Sequence, residues 1–225
     1  MPIVVLMSPK GGVGKTTSSL TLAASIAHRA LHVSLIDADP NHPLTKWHSI
    51  GNAPTEYLTV TQADEESIID VIEERSASSA FTIVDLEGTA GKIALLAASQ
   101  ADLVIIPMQG STLDADQASR ALRVIRQQEK MMRRTVPHSI LFTRTNPAIK
   151  TRTYTALATE LRELGVAMFE TELMEREAYK AQFSFGSTIY QLVASDVSGL
   201  ERARQNADAL YTEVLTTLKR AEATQ

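Results

Sequence analysis

Residues 8–17 read Ser8-Pro9-Lys10-Gly11-Gly12-Val13-Gly14-Lys15-Thr16-Thr17, directly after the apolar run Ile3-Val4-Val5-Leu6-Met7. The order is strand, glycine-rich turn, helix start. Glycines let the backbone curl so that successive N–H groups point inward at an anion. A helix opening near Lys15 adds the positive end of its dipole at the same place. This is the construction of a phosphate cradle. Lys15 supplies a mobile cation for β- and γ-phosphates, and Thr16 a hydroxyl ligand for Mg²⁺. Gly11, Gly12, Val13, Gly14, Lys15, Thr16 and Thr17 are therefore the expected nucleotide-binding residues.

The stretch departs from the general Gly-x-x-x-x-Gly-Lys-Thr pattern. Pro9 stands where the first glycine belongs, and Lys10 precedes the double glycine. The form Lys-Gly-Gly-x-Gly-Lys-Thr-Thr resembles the deviant Walker A loop of the ParA/MinD superfamily of dimeric ATPases. The resemblance implies that Lys10 reaches across a nucleotide-sandwich homodimer to the partner's phosphates, acting with Lys15 in catalysis.

Composition narrows the choice. A chain of 225 residues suits one large α/β domain, residues 1–225, and is short for two. It has no cysteine, which excludes disulfides, thiolate metal sites and thiol catalysis, and with them an iron–sulfur branch of the same superfamily. The net charge of −4 offers no global attraction to nucleic acid, so any DNA contact needs a local patch. No run approaches a membrane span, and Met1-Pro2 runs straight into an apolar strand, with no room for a signal peptide. A cytoplasmic protein without a membrane partner is expected. One Trp and five Phe are too few for a surface that stacks single-stranded bases.

Apolar, β-branched runs recur at Ile3–Met7, His32–Ile36, Leu58–Val60, Phe81–Val84, Leu103–Ile106, Ser139–Thr143 and Val166–Phe169. Continuous hydrophobicity predicts strands buried on both faces of a parallel sheet. Helical spacing of apolar residues marks Thr16–Ala30, Glu65–Arg75, Asp114–Met132, Thr151–Leu164 and Gly199–Arg220. The alternation predicts a doubly wound, mostly parallel α/β sheet of about seven strands flanked by helices, of the P-loop NTPase type.

Two runs end in acids. His32–Ile36 leads into Asp37-Ala38-Asp39-Pro40, and Phe81–Val84 into Asp85. Acids just beyond the carboxyl ends of parallel strands lie where ligands bind, and suit Mg²⁺ and water. The family resemblance implies that Asp39 positions or activates the attacking water and Asp37 sits near the metal. Asp85 reads as a Walker B acid holding Mg²⁺, with Thr16, through a water. The turn Leu86-Glu87-Gly88-Thr89-Ala90-Gly91 suits a switch that senses the γ-phosphate. Leu103–Pro107 followed by Ser111-Thr112-Leu113-Asp114 reads as strand, turn and an N-cap near Thr112 or Asp114. Arg144 and Asn146 follow the strand Ser139–Thr143; in relatives the corresponding stretch lies beside adenine.

The resemblance runs from Met1 to about Leu218, and it is to small ParA partition ATPases and to VirC-type proteins of T-DNA transfer. Met174-Glu175-Arg176-Glu177-Ala178-Tyr179 resembles a segment these proteins share, and physically reads as a charged, partly helical surface stretch. Such ATPases coat nucleoid DNA non-specifically as ATP dimers. Two basic stretches suit that role: Arg123, Arg126 and Lys130 on the helix 114–134, and Arg202 and Arg204 on the last helix. The resulting expectation is an Mg²⁺-ATP-dependent partition ATPase, nucleoid-associated, stimulated by a small centromere-binding DNA-binding protein. The alternatives are a nucleotide-switched adaptor of conjugative or T-DNA transfer, a MinD-like positioning ATPase, and a metabolic synthetase of the same fold. The tail from Leu218 lacks the bulky apolar residues a membrane-binding helix needs.

Overall fold

The structure is a computed structural model that describes residues 1–53, 56–88, 91–146 and 149–223, with the side chains of 112–115 and 117 also outside the description. Its strands are β1 (Ile3–Leu6), β2 (Val33–Ala38), β3 (Leu58–Gln62), β4 (Phe81–Leu86), β5 (Leu103–Met108), β6 (His138–Thr145) and β7 (Leu173–Met174). They form one sheet in the order β3-β2-β4-β1-β5-β6-β7. Every ladder is parallel, as the unbroken apolar runs require. β2, β4 and β5 are buried along their whole length.

The helices are α1 (Lys15–Ala27), α2 (Pro43–Ser49), α3 (Ile68–Ser78), α4 (Lys92–Gln100), α5 (Thr112–Met132), α6 (Arg152–Glu163), α7 (Glu177–Phe185) and α8 (Leu200–Glu222). One core joins the sheet to α1, α2, α7 and α8, and the other joins it to α3, α4, α5 and α6. Two apolar layers on one sheet are what double winding means. The predicted stripe of α8 is buried throughout, from Leu200 to Leu218.

The structure corrects one strand and adds three helices. Val166–Phe169 makes only an isolated bridge, Met168 to Ile140; the seventh strand is β7, a few residues further on. An apolar run of four residues cannot say whether it pairs or merely packs. The helices α2, α4 and α7 are short, of 7, 9 and 9 residues, below the length at which periodicity speaks clearly. α5 begins at Thr112, so Thr112 and Asp114 fall inside its first turn; their side chains lie outside the described residues. So do Thr89 and Ala90 of the turn after β4.

The sheet order places β1 between β4 and β5. The chain reverses winding direction there, so the loop after β1 opens into the crevice at the carboxyl ends of the strands. The ends of β2 and β4 lie beside it, with Asp37 in register with Asp85 and Leu6 with Asp85.

Candidate functional site

The phosphate loop is shaped by backbone that only glycine adopts without cost. Gly12 lies at φ 75° and Gly14 at φ 95°, in the left-handed region that penalises other residues. Gly14 caps α1, and its carbonyl accepts the Ser18 N–H at 2.9 Å. Side chains outside the motif hold the loop in place. The Thr143 hydroxyl donates to the Val13 carbonyl at 2.6 Å and lies 3.1 Å from the Met108 carbonyl, tying the loop to the ends of β5 and β6. Gln109 Nε2 donates to the Gly12 carbonyl at 3.2 Å. Gly88 sits so close that a Cβ there would meet the Gly11 nitrogen at 2.7 Å. The glycine after the second acid strand is therefore a matter of close approach, whatever its role in switching.

Inside the loop, Lys15 is buried and its ammonium donates to the Lys10 carbonyl at 3.2 Å. Burial lowers the Lys15 pKa, and the charges of Asp85, Asp39 and Glu87 oppose that. Asp85 has no exposed surface. Burial pushes its carboxyl up to about 7, while the hydroxyls of Thr16 and Ser19 and the Lys15 charge pull it down. Ser19 Oγ donates to Asp85 Oδ1 at 3.0 Å. Asp37 is equally buried, and its Oδ2 accepts from the Thr45 backbone N–H at 2.7 Å and hydroxyl at 2.9 Å. Asp37 Oδ1 and Asp85 Oδ2 have no hydrogen-bond partner among the described residues.

Asp39 is placed differently. It is half-buried, and its Oδ1 accepts the Asn41 N–H at 2.8 Å and Asn41 Nδ2 at 3.0 Å. It thus caps the turn leading to α2, at the rim of the crevice and within electrostatic reach of Lys15. Lys10 is half-buried on the same rim.

Beside the loop lies a cavity of about 300 Å³, with Gly14, Thr17 and Thr143 on one wall and Met174, Arg176 and Tyr179 on the other. Met174, Glu175, Arg176 and Tyr179 of the segment 174–179 thus line it. Met174 ends β7, Glu177 opens α7, and Ala178 and Tyr179 are buried. The Tyr179 hydroxyl donates to the Ala203 carbonyl at 3.0 Å, and Asn206 of α8 holds the Met174 N–H and the Glu172 carbonyl. The expectation of a surface stretch is corrected here. The adjacent apolar residues Ala178 and Tyr179, after three charged ones, are the signal that one side faces inward.

Arg144 lines this cavity and a second cleft with Gln109, Ser111 and Tyr154. It sits at φ 51° where the β6–β7 register shifts, a bulge that turns its side chain outward. Asn146 lines the second cleft, and its Oδ1 accepts the Ile149 N–H at 3.2 Å. The structure therefore brings Arg144 to the loop and sets Asn146 apart from it.

The basic stretches separate as well. Arg123, Arg126 and Lys130 are exposed on α5. Glu129 turns aside to accept the Val136 N–H at 2.9 Å, and Arg134 donates to the Ala101 carbonyl. On α8, Arg202 is exposed, whereas the Arg204 guanidinium donates to the carbonyls of Ile189, Tyr190 and Leu192 at 3.0, 3.3 and 2.9 Å. Arg204 is spent on tying the 189–192 turn to α8.

A seven-stranded parallel sheet with a Lys-Gly-Gly-x-Gly-Lys-Thr loop at its switch point, beside two buried acids, defines a P-loop NTPase with a deviant Walker A loop. A model of the VirC1 protein family matches residues 1–217, and the chain belongs to that family, within the ParA/MinD superfamily. It is 37% identical over 221 residues to protein ParA of Rhizobium radiobacter, covering 98% of this chain and 99% of that one. It is 27% identical over 186 residues to protein virC1 of Rhizobium rhizogenes, covering 80% of each. Among solved structures, the McdA(D38A)–ATP complex from Cyanothece superposes with a TM-score of 0.77 at 19% identity, covering 95% of this chain and 96% of that one. ParA and VirC1 relatives mark a family of P-loop ATPases that supports a partition-type function in coarse terms. Among the described residues no helix is long and apolar enough to cross a membrane.

Proposed function

We propose that this chain, as one ATPase domain over residues 1–225, binds Mg²⁺-ATP, pairs with a second copy, binds duplex DNA non-specifically and drives plasmid or chromosome partition by hydrolysing ATP. The observation that carries the reading is the convergence at the β1 loop. Lys15, the glycine-shaped loop and the start of α1 behind it supply positive charge for phosphates, and two buried carboxylate oxygens, of Asp37 and Asp85, lack partners among the described residues. A buried, unpartnered carboxylate oxygen is costly unless something cationic meets it. Two carboxylates and the Thr16 hydroxyl fit Mg²⁺, which keeps several waters and takes few protein ligands. Mg²⁺ bound there would offset charge on the phosphate oxygens.

The residues divide the work. The loop N–H groups and Lys15 bind and orient the phosphates. Arg144 and the wall Met174–Tyr179 enclose the cavity of about 300 Å³, which suits a nucleoside base; Asn146 has no part in that wall. Asp39, held at the rim by Asn41, orients the attacking water and can accept its proton. Lys10 crosses to the partner's phosphates. ATP in the McdA complex supports the nucleotide assignment. The exposed cations Arg123, Arg126 and Lys130, joined by Arg202, supply the phosphate-backbone contacts. Arg204 contributes by holding its turn. A small centromere-binding DNA-binding protein is the expected stimulating partner, and the nucleoid in the cytoplasm the expected place of action.

The match to the VirC1 family favours a second reading, a nucleotide-switched adaptor of T-DNA or conjugative transfer. One experiment tests the principal reading. Light scattering with ATP and with ADP should show a dimer with ATP only, and Lys10→Ala should bind nucleotide yet stay monomeric. A Lys10→Ala protein that dimerises normally with ATP refutes the cross-subunit lysine. Wild-type protein that turns over no ATP in the presence of DNA shifts the balance to the adaptor.

A further inference from the structure

Asp37 and Asp85 stand side by side in register at the ends of β2 and β4. Both are fully buried, and they are built alike. One oxygen of each is held by a hydroxyl: Asp85 Oδ1 by Ser19 at 3.0 Å, and Asp37 Oδ2 by Thr45 at 2.9 Å. The other oxygen of each has no partner among the described residues. Neither hydroxyl belongs to the loop motif. Ser19 lies a turn into α1, and Thr45 is the third residue of α2.

We propose that Ser19 and Thr45 are a matched pair of positioning residues that lock the two carboxylate rotamers, so that each acid presents a single oxygen to Mg²⁺ or its bound waters. The inference rests on the Mg²⁺-ATP reading above. A carboxylate free to rotate about its terminal torsion loses entropy when a cation fixes it. A hydroxyl that has already fixed it removes that cost, which is why outer partners of metal-binding carboxylates carry ~10–100-fold of metal affinity. The two are unequal. Thr45 also donates its backbone N–H to the same oxygen at 2.7 Å, and that bond survives any side-chain change. Ser19 holds Asp85 through its hydroxyl alone, and the Thr16 hydroxyl of the loop acts on the same carboxyl. The Lys15 carbonyl lies 3.1 Å from the same hydroxyl, the ordinary acceptor for a helical serine. With one proton to give, Ser19 can serve Asp85 or Lys15, and the buried carboxylate is the stronger acceptor.

The test titrates Mg²⁺ against full-length protein with a fluorescent ATP analogue, and measures analogue affinity separately in EDTA. Ser19→Ala should raise the half-saturating Mg²⁺ concentration ~10-fold and Thr45→Val ~3-fold, with ~30-fold in the double variant if the sites act independently. Affinity in EDTA should stay within about twofold of wild type, since neither hydroxyl contacts the phosphate loop's N–H groups. Ser19→Thr and Thr45→Ser should restore the wild-type Mg²⁺ dependence. If Ser19→Ala does not fold, Ser19→Cys, of similar volume but a weak donor, carries the same expectation. An unchanged Mg²⁺ midpoint in these variants overturns the inference. Equal losses in Mg²⁺ and in EDTA overturn it too, because they mark a purely structural role. Wild-type protein whose analogue binding ignores Mg²⁺ fails the underlying reading instead, and is told apart because no variant is needed to see it.

Discussion

The end of the sheet that carries the β1 loop and the outer face of α5 are both candidate anion sites, and they are built on opposite principles. At the loop, the charges of the floor, Lys15, Asp37 and Asp85, are buried and held. Lys15 sits against a carbonyl, Asp85 against Ser19, Asp37 against Thr45, and the loop itself against Thr143 and Gln109. On α5, Arg123, Arg126 and Lys130 stand in solvent on the outer face of a helix whose inner face, Ala118, Leu122 and Ile125, does the packing. The first site can discriminate, because a pre-arranged, desolvated group loses little on binding and much on misfit. The second attracts by charge alone, and any polyanion of the right spacing will do. Substitution should therefore act steeply and specifically at the loop, and gradually on α5.

The largest effect is expected from Lys15→Ala. Removing one partner of a buried, hydrogen-bonded charge pair costs about 2–5 kcal/mol, so the affinity for a fluorescent ATP analogue should fall ~10³-fold. A variant that keeps wild-type affinity would show that the loop is not the nucleotide site. Next comes Asp39→Ala, which removes a group from the rim rather than the buried floor. ATP turnover should drop at least ~10²-fold while analogue affinity changes little. Unchanged turnover would transfer the water-positioning role to another acid on the rim, such as Glu87.

Much of this was legible from residues 1–40 and 81–85. The glycine spacing, the two acids after apolar runs and the strand–helix alternation led directly to a parallel sheet with a phosphate loop. They did so because each is a local pattern with a mechanical cause. The parts that were not legible are partnerships across long sequence distances. Thr143 reaches a loop 130 residues away, Ser19 an acid 66 residues away, and Tyr179 a carbonyl 24 residues away. A lone hydroxyl in an apolar run carries no sign of which carbonyl it will meet. Arg204 failed in the opposite way: its charge was visible, but the three carbonyls that consume it belong to an irregular turn with no sequence signature. The strand β7 is two residues long, too short for any period.

A third prediction probes the cost of the buried floor itself. The Asp85 carboxyl lies at about 7, well above its ordinary value near 4. Between those two values the native state holds a proton that the unfolded chain has released, so metal-free protein loses stability as pH rises from about 4 to about 7, and the loss is complete above that. Asp85→Asn removes the ionisation. The variant should unfold at higher temperature than wild type at pH 8 in EDTA, and the difference should vanish towards pH 4. Asn reproduces the hydrogen bonding of the neutral acid only in part, which takes back some of the gain. Roughly 2 kcal/mol, or about 5 °C for a chain of this size, is expected to remain. A wild type as stable as the variant at pH 8 would mean that the hydroxyls of Thr16 and Ser19 fully offset the burial of the charge.

The smallest effect per residue is expected on α5, and it takes the form of a slope. With ATP present, binding to duplex DNA should weaken linearly on a log–log plot against salt, by about 0.9 for each phosphate neutralised. Replacing Arg123, Arg126 and Lys130 together by Ala should lower affinity about tenfold near physiological salt. The slope should flatten by roughly 0.9 for each phosphate that is no longer neutralised, up to three. Each single substitution should give a proportionate fraction, because exposed charges that share no partner act independently. This graded behaviour is the counterpart of the steep loss at Lys15. Arg202→Ala should add to it if α8 lies on the same face. Arg204→Ala should instead lower thermal stability by freeing three carbonyls, without a matching change in slope. Mobility shifts across a salt series, with ATP and with ADP, measure the slopes, and thermal melts separate Arg204 from the rest. An unchanged slope in the triple variant would move the DNA contact off α5, and no ATP-dependent shift at low salt would remove the DNA-coating role altogether.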